Sequence, residues 1–229
     1  MQWLTLHRFM AKHWWKILCV LLLYYTFIQG LTGPVPHLPI LEESIRNLYF
    51  HVPMWFSMLL LLLASTIYSV MYLKTNERRY DTIASQLAFS GIFFGVLGLL
   101  TGMIWAQNTW GTWWTNDPKL NSAAIGMLIY LAYTVLRDAL EDTEKKARIS
   151  AVYNIFAFPV FVVLIFILPR LTASLHPGNG GNPGFNQYDL DNNMRLVFYP
   201  AVIGWTLLGT WIAHLRIRMK KIEITINEN

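Results

Sequence analysis

A single cysteine, Cys19, stands in the 229 residues and lies inside an apolar run, so neither an internal disulfide nor a C-x-x-C thiol couple can form. It reads as a small core residue. Charge is also scarce. Asp, Glu, Lys and Arg make up 14% of the chain and gather in short clusters, so the net charge of +5 sits on connectors, with no soluble domain to carry a basic nucleic-acid face. Nucleic acid is discounted as a partner. No G-x-x-x-x-G-K-[ST] phosphate loop, G-x-S-x-G elbow or paired-histidine zinc motif occurs, and the chemistries those motifs serve lack their parts. The loop Gly178-Asn179-Gly180-Gly181 lacks the lysine and following helix that phosphate binding needs. Asp117, Asp189 and Asp191 lie between apolar runs, but nothing marks two of them as an acid/base pair.

What the chain has is apolar length. Hydrophobic residues make up 55% of it, in runs long enough to cross a bilayer, which predicts an all-α polytopic membrane protein with six spans. These are expected near 14–31, 52–73, 83–105, 120–136, 149–168 and 196–214, the fourth having the shortest apolar core. Lysine and arginine fall mainly on one side, in the N-terminal segment, the connectors 74–81 and 137–148, and the C-terminal segment. Arg46, Lys119, Arg170 and Arg195 lie on the other. Cytoplasmic segments retain such cations, so both termini are expected in the cytoplasm. The N-terminus has the basic and apolar regions of a secretory signal, but Gly30-Leu31-Thr32-Gly33-Pro34 offers no A-x-A-like cleavage site, so the run is expected to stay as the first span. With no internal repeat and no separate soluble region, residues 1–229 read as one membrane domain. Its outward segments include a tryptophan-rich loop at about 106–119 and a histidine-bearing loop at about 169–195.

The tryptophan loop reads Trp110-Gly111-Thr112-Trp113-Trp114-Thr115-Asn116-Asp117. Were it helical, Trp110, Trp113 and Trp114 would share one face and offer an indole platform to a large planar apolar ligand. An interfacial aromatic belt is the other reading. Of the six histidines, His37, His51 and His176 share the outward side with these indoles. His51 is expected just before a helix with Pro53 in its first turn, and His176 in a turn fixed by Pro177 and Gly178. Two imidazoles from different segments can clamp a haem axially, and arginines suit its propionates. Arg46, Arg195 and Lys119 are the candidate cations, or else they anchor helix ends at lipid headgroups. Gly91, Gly95, Gly98 and Gly102 recur at helical spacing and read as a packing stripe, with a groove for lipid or porphyrin as the alternative. Pro159 is expected to kink or break the fifth span.

Taken together, Trp110 to Asp117 and Arg46-Asn47-Leu48-Tyr49-Phe50-His51-Val52-Pro53 resemble the tryptophan-rich and first-histidine segments of the CcmC family of cytochrome c maturation proteins. The resemblance runs through nearly the whole chain, including Leu175-His176 and Met194-Arg195. It implies a multi-pass protein of the bacterial inner membrane that binds haem b at the outer face. His51 and His176 would be axial ligands, Trp110, Trp113 and Trp114 the platform and Asp117 a further haem-binding residue of the same motif, with Arg46, Arg195 and Lys119 as propionate contacts. It further implies delivery to a periplasmic haem chaperone, alongside an ATP-binding cassette complex and a small single-span subunit, with no enzymatic step in this chain. Asn116 stands where the family usually has tryptophan, and Lys119 where it has arginine. The larger haem-delivering subunit of a two-component cytochrome c synthetase, a di-histidine cytochrome b-like electron carrier and a purely structural membrane subunit are the competing readings.

Overall fold

A computed structural model describes residues 2–176, 185 and 190–227, with side chains from residue 13 to 226 within those. Gly178-Asn179-Gly180-Gly181, Pro177 and Asp189 lie outside the described residues. Every regular element described is helical: α1 (Gln2–Thr32), a 3-10 turn (Glu42–Asn47), α2 (Leu48–Thr75), α3 (Arg78–Trp110), α4 (Pro118–Ala139), α5 (Thr143–Val162) and α6 (Asn192–Asn227). Six stretches among them are long and apolar enough to cross a membrane. Five of the six expected spans lie within single α-helices, the fifth, 149–168, runs from α5 through a π turn into a 3-10 turn, and α6 runs 13 residues past its expected end at His214 into the basic segment Arg216 to Lys221.

Polarity is arranged for lipid. Large apolar side chains such as Phe156 (71% exposed), Val135 (67%) and Leu128 (63%) stand on the outside, while Ser57, Ser65, Ser69, Ser90, Ser150 and Asn154 are buried between helices. Hydrocarbon offers such groups no partner, and Ser57, Ser65, Ser69, Ser90 and the Asn154 amide bond internally. Ser57, Ser69 and Ser90 return their hydroxyls to carbonyls four residues back, and the Asn154 amide on α5 donates to Ser65 and Ser69 on α2 at 2.7 and 3.0 Å. Cys19, 1% exposed, points its thiol at the Gly204 carbonyl on α6, as a small core residue would.

The glycine stripe of α3 lies against α2. A Cβ at Gly91 would meet Leu62, one at Gly95 would meet Met58 and Met127, one at Gly98 would come 2.9 Å from the Trp55 Nε1, and one at Gly102 would come 2.8 Å from the His51 Cε1. The missing side chains let the two backbones close together.

Two expectations need correction. His51 does not precede a helix, because the 3-10 turn runs directly into α2 and makes it the fourth residue of that helix. Pro53 is therefore an interior proline, unable to donate to the Tyr49 carbonyl. The expected break near Pro159 is present: after it α5 gives way to the π turn Val163–Ile167, which runs into a 3-10 turn at Leu168–Arg170.

The connectors are exposed over most of their length, but one ion pair at their edges is not. Arg137 near the end of α4 makes two bonds, 2.7 and 2.9 Å, to Asp81 in the first turn of α3. The two side chains are only 11% and 16% exposed. Replacing Arg137 with leucine strands the Asp81 carboxylate and is expected to cost about 3 kcal/mol. Changing both residues to leucine should cost less than that single change. Denaturant unfolding in mixed micelles checks this, and an Arg137→Leu chain as stable as the parent would refute it.

Candidate functional site: two imidazoles at the end of α3

His51 is held by α3. Its Nδ1 lies 3.0 Å from the Gly98 carbonyl and 3.2 Å from the Thr101 hydroxyl. A carbonyl can only accept, so Nδ1 donates, and in the neutral ring Nε2 keeps the lone pair. This is how metal-binding histidines are usually oriented, with one ring nitrogen tied to a backbone oxygen and the other left to bind. Trp105 and Trp55 stand edge-on to the ring at 5.9 and 6.4 Å between centroids, and the bare backbone of Gly102 cradles it. Trp105 is itself tied down, donating to the Ser44 hydroxyl at 3.2 Å.

His176 reaches the same end of the molecule by another route. Helix α3 stops at Trp110 because Gly111 takes a left-handed φ of +74° and turns its N–H back to Gln107. Glycine adopts that conformation without a Cβ penalty. The helical alignment of Trp110, Trp113 and Trp114 is therefore not realised. Trp110 alone ends the helix, and its ring meets the His176 ring edge-on at 5.0 Å. Trp113 and Trp114 lie in the following loop, 55% and 38% exposed, with Trp114 donating to Asn121 at 3.3 Å. Their indoles are left with free surface.

Asp117 joins the two loops. Its side chain, 3% exposed by residue, caps α4 by accepting from the N–H groups of Lys119 and Leu120, and it accepts from the Ser174 hydroxyl and the Leu175 N–H as well. Burial alone would raise its carboxyl, but those donors, with His176 nearby, hold it below the usual carboxylate range. His176 Nδ1 stands 3.9 Å from Asp117 Oδ1, too far for a direct hydrogen bond. Burial pushes the His176 imidazole down to about 4, helped by the Lys119 ammonium and opposed by Asp117, so the ring is neutral at physiological pH. The contact with Asp117 is thus not an ion pair there. His51 and His176 are near enough for charge on one to be felt by the other.

The cations divide. Lys119 lies within electrostatic reach of both imidazoles, of Asp117 and of Arg170. Arg46 is committed elsewhere: it donates to the Gly30 and Gly33 carbonyls at the end of α1, at 3.1 and 2.6 Å, and pairs with Glu43 at 2.6 Å. Arg195 donates to the Phe185 carbonyl at 3.3 Å. Trp55, Trp105, Thr101 and Ser174 were not singled out from sequence. Trp55 alone had a legible signal, one helical turn after His51.

The donor chemistry suits a metalloporphyrin: neutral imidazoles, one with its remote nitrogen fixed by a backbone carbonyl, beside indole faces left partly exposed. The described fold is that of a multi-pass helical membrane protein with these groups collected at one end. The chain belongs to the family described as heme exporter protein C, whose model matches residues 2–229. It is similar to heme exporter protein C of Rhodobacter capsulatus, 30% identical over 142 residues, covering 61% of this chain and 58% of that protein. The Bradyrhizobium diazoefficiens protein of the same description is 32% identical over 166 residues, covering 72% and 62%. A cytochrome c biogenesis protein CcsA of Prochlorococcus marinus is 32% identical over 102 residues, covering 44% and 31%. The chain spans 58% and 56% of the Rhodobacter capsulatus and Paracoccus denitrificans proteins that it matches.

A His176 imidazole lowered to about 4 has a definite consequence for stability. The unfolded ring, near pH 6.5, protonates first, so this contribution is complete above about 6.5 and is lost as pH falls towards 4. The slope is at most about 1.4 kcal/mol per pH unit. Thermal unfolding of the detergent-solubilised chain at several pH values should show it, and His176→Asn should flatten it in that window. Equal slopes in both proteins would refute the burial of a neutral ring.

Proposed function

We propose that this chain binds haem, as haem b, between His51 and His176 at the outer face of the bacterial inner membrane and releases it for cytochrome c maturation. Haem is cargo here, and the chain carries out no covalent step on it. The observation that carries the reading is the orientation of His51, whose Nδ1 is tied to the Gly98 carbonyl so that Nε2 is the nitrogen left to ligate. His176, neutral and packed on Trp110, is the second ligand. Trp110, Trp113 and Trp114 supply apolar surface for the porphyrin.

Lys119 is the cation best placed for a propionate, since it lies within electrostatic reach of both imidazoles. Arg46 and Arg195 already give part of their guanidinium donors to backbone carbonyls, and would join it through the remaining ones. The acceptor is a periplasmic haem chaperone. An ATP-binding cassette complex and a small single-span subunit act alongside, which accounts for the lack of a phosphate loop in this chain. Both termini lie in the cytoplasm, with Lys74, Arg78, Arg137, Lys145 and Lys146 on the same side.

Alanine at His51 or His176 is expected to shift or abolish the Soret band of the purified protein and to block cytochrome c maturation in cells that depend on it. Gly102→Val should weaken haem retention while leaving both histidines in place, because the new Cβ falls 2.8 Å from the His51 ring. Unchanged spectra in both alanine variants and in the double variant would defeat the reading.

A further inference from the structure

We propose that Asp117 is the positioning residue for His176: it locks the tryptophan loop to the histidine loop and so fixes where that imidazole stands, without touching haem itself. The inference rests on the reading of His176 as an iron ligand.

The geometry exceeds what a helix cap needs. Capping α4 requires only the bonds from Lys119 N, at 2.9 Å, and Leu120 N, at 3.4 Å. Asp117 also receives the Ser174 hydroxyl at 3.0 Å on Oδ1 and the Leu175 N–H at 2.7 Å on Oδ2, from a segment 57 and 58 residues away. The Ser174 oxygen in turn accepts the His176 N–H at 3.1 Å. A chain of hydrogen bonds therefore runs from the first turn of α4 to the backbone of His176.

Residues 171–176 belong to no helix or strand, so no regular ladder sets their position. The Asp117 bonds, the Ser174 relay and the edge contact with Trp110 tie residues 174–176 to the first turn of α4 and the end of α3. A direct haem contact is the wrong role for this carboxylate. It is buried, both oxygens already accept hydrogen bonds, and its negative charge would oppose a propionate.

Asp117→Ser separates the two duties of the side chain. Serine caps a helix well but is too short to reach residues 174 and 175. In the purified full-length chain loaded with haem, Asp117→Ser is expected to change the spectrum in the same direction as His176→Ala. Haem retention should weaken about tenfold or more, the range seen when an outer-shell partner of a metal ligand is lost. Added to His176→Ala, it should change nothing further, and free imidazole should restore the low-spin spectrum in either single variant. Should Asp117→Ser fail to fold, Ser174→Ala removes one bond of the lock with the cap intact, and a smaller shift of the same kind is expected.

A parental spectrum and haem retention in folded Asp117→Ser would overturn the proposal, as would losses that multiply in the double variant. An unchanged spectrum in His176→Ala removes the ligand reading, and this inference falls with it. A changed His176→Ala spectrum beside an unchanged Asp117→Ser spectrum refutes the lock alone.

Discussion

Where α2 crosses α3, four glycines leave the α3 surface bare, and Leu62, Met58, Trp55 and His51 of α2 fill the space level by level. In lipid no water is expelled when helices meet, so such contacts are held by dispersion at close range and by hydrogen bonds between helices. The approach also serves the polar end of the pair. Only because the backbones are this near can the Gly98 carbonyl and the Thr101 hydroxyl reach the His51 ring, and the Asn47 amide donate to the Thr101 carbonyl at 2.9 Å. Packing along the stripe and orientation of the imidazole are one arrangement. A side chain added at Gly102 disturbs both.

The second imidazole depends on α3 in a different way. His176 rests on Trp110, the last residue of α3, and on a loop held by Asp117 from the start of α4. His51 sits within a packed helix pair, whereas His176 stands in a segment outside regular structure that is tied to the start of α4 through Asp117 and Ser174.

The opposite end of the bundle shows the same economy with charge. Asp81 and Arg137 meet in a nearly buried bidentate pair that joins α3 to α4, and Tyr133 stacks within 5.9 Å of the guanidinium. Both lie at the edges of the charged connectors 74–81 and 137–148. Pairing hid them, and pairing is invisible in a charge count. Arg46 is a parallel case: its place among few cations on its side suggested a ligand contact, yet its guanidinium closes the end of α1.

Hydropathy marked the six stretches long and apolar enough to cross a membrane, the cysteine count ruled out an internal disulfide, and the lack of a phosphate loop or a G-x-S-x-G elbow was visible because such motifs are short in sequence. The tryptophan and histidine segments were legible as motifs for the same reason. Tertiary structure decided the rest. It ended α3 at Trp110 and broke the expected helical row of indoles, placed Pro53 inside α2, and gave Asp117 partners 57 and 58 residues away. Hydrophobic length and turn chemistry are local properties that a window of residues carries with it. The orientation of an imidazole is set by whichever carbonyl or carboxylate the fold brings to its other side, and that neighbour comes from elsewhere in the chain.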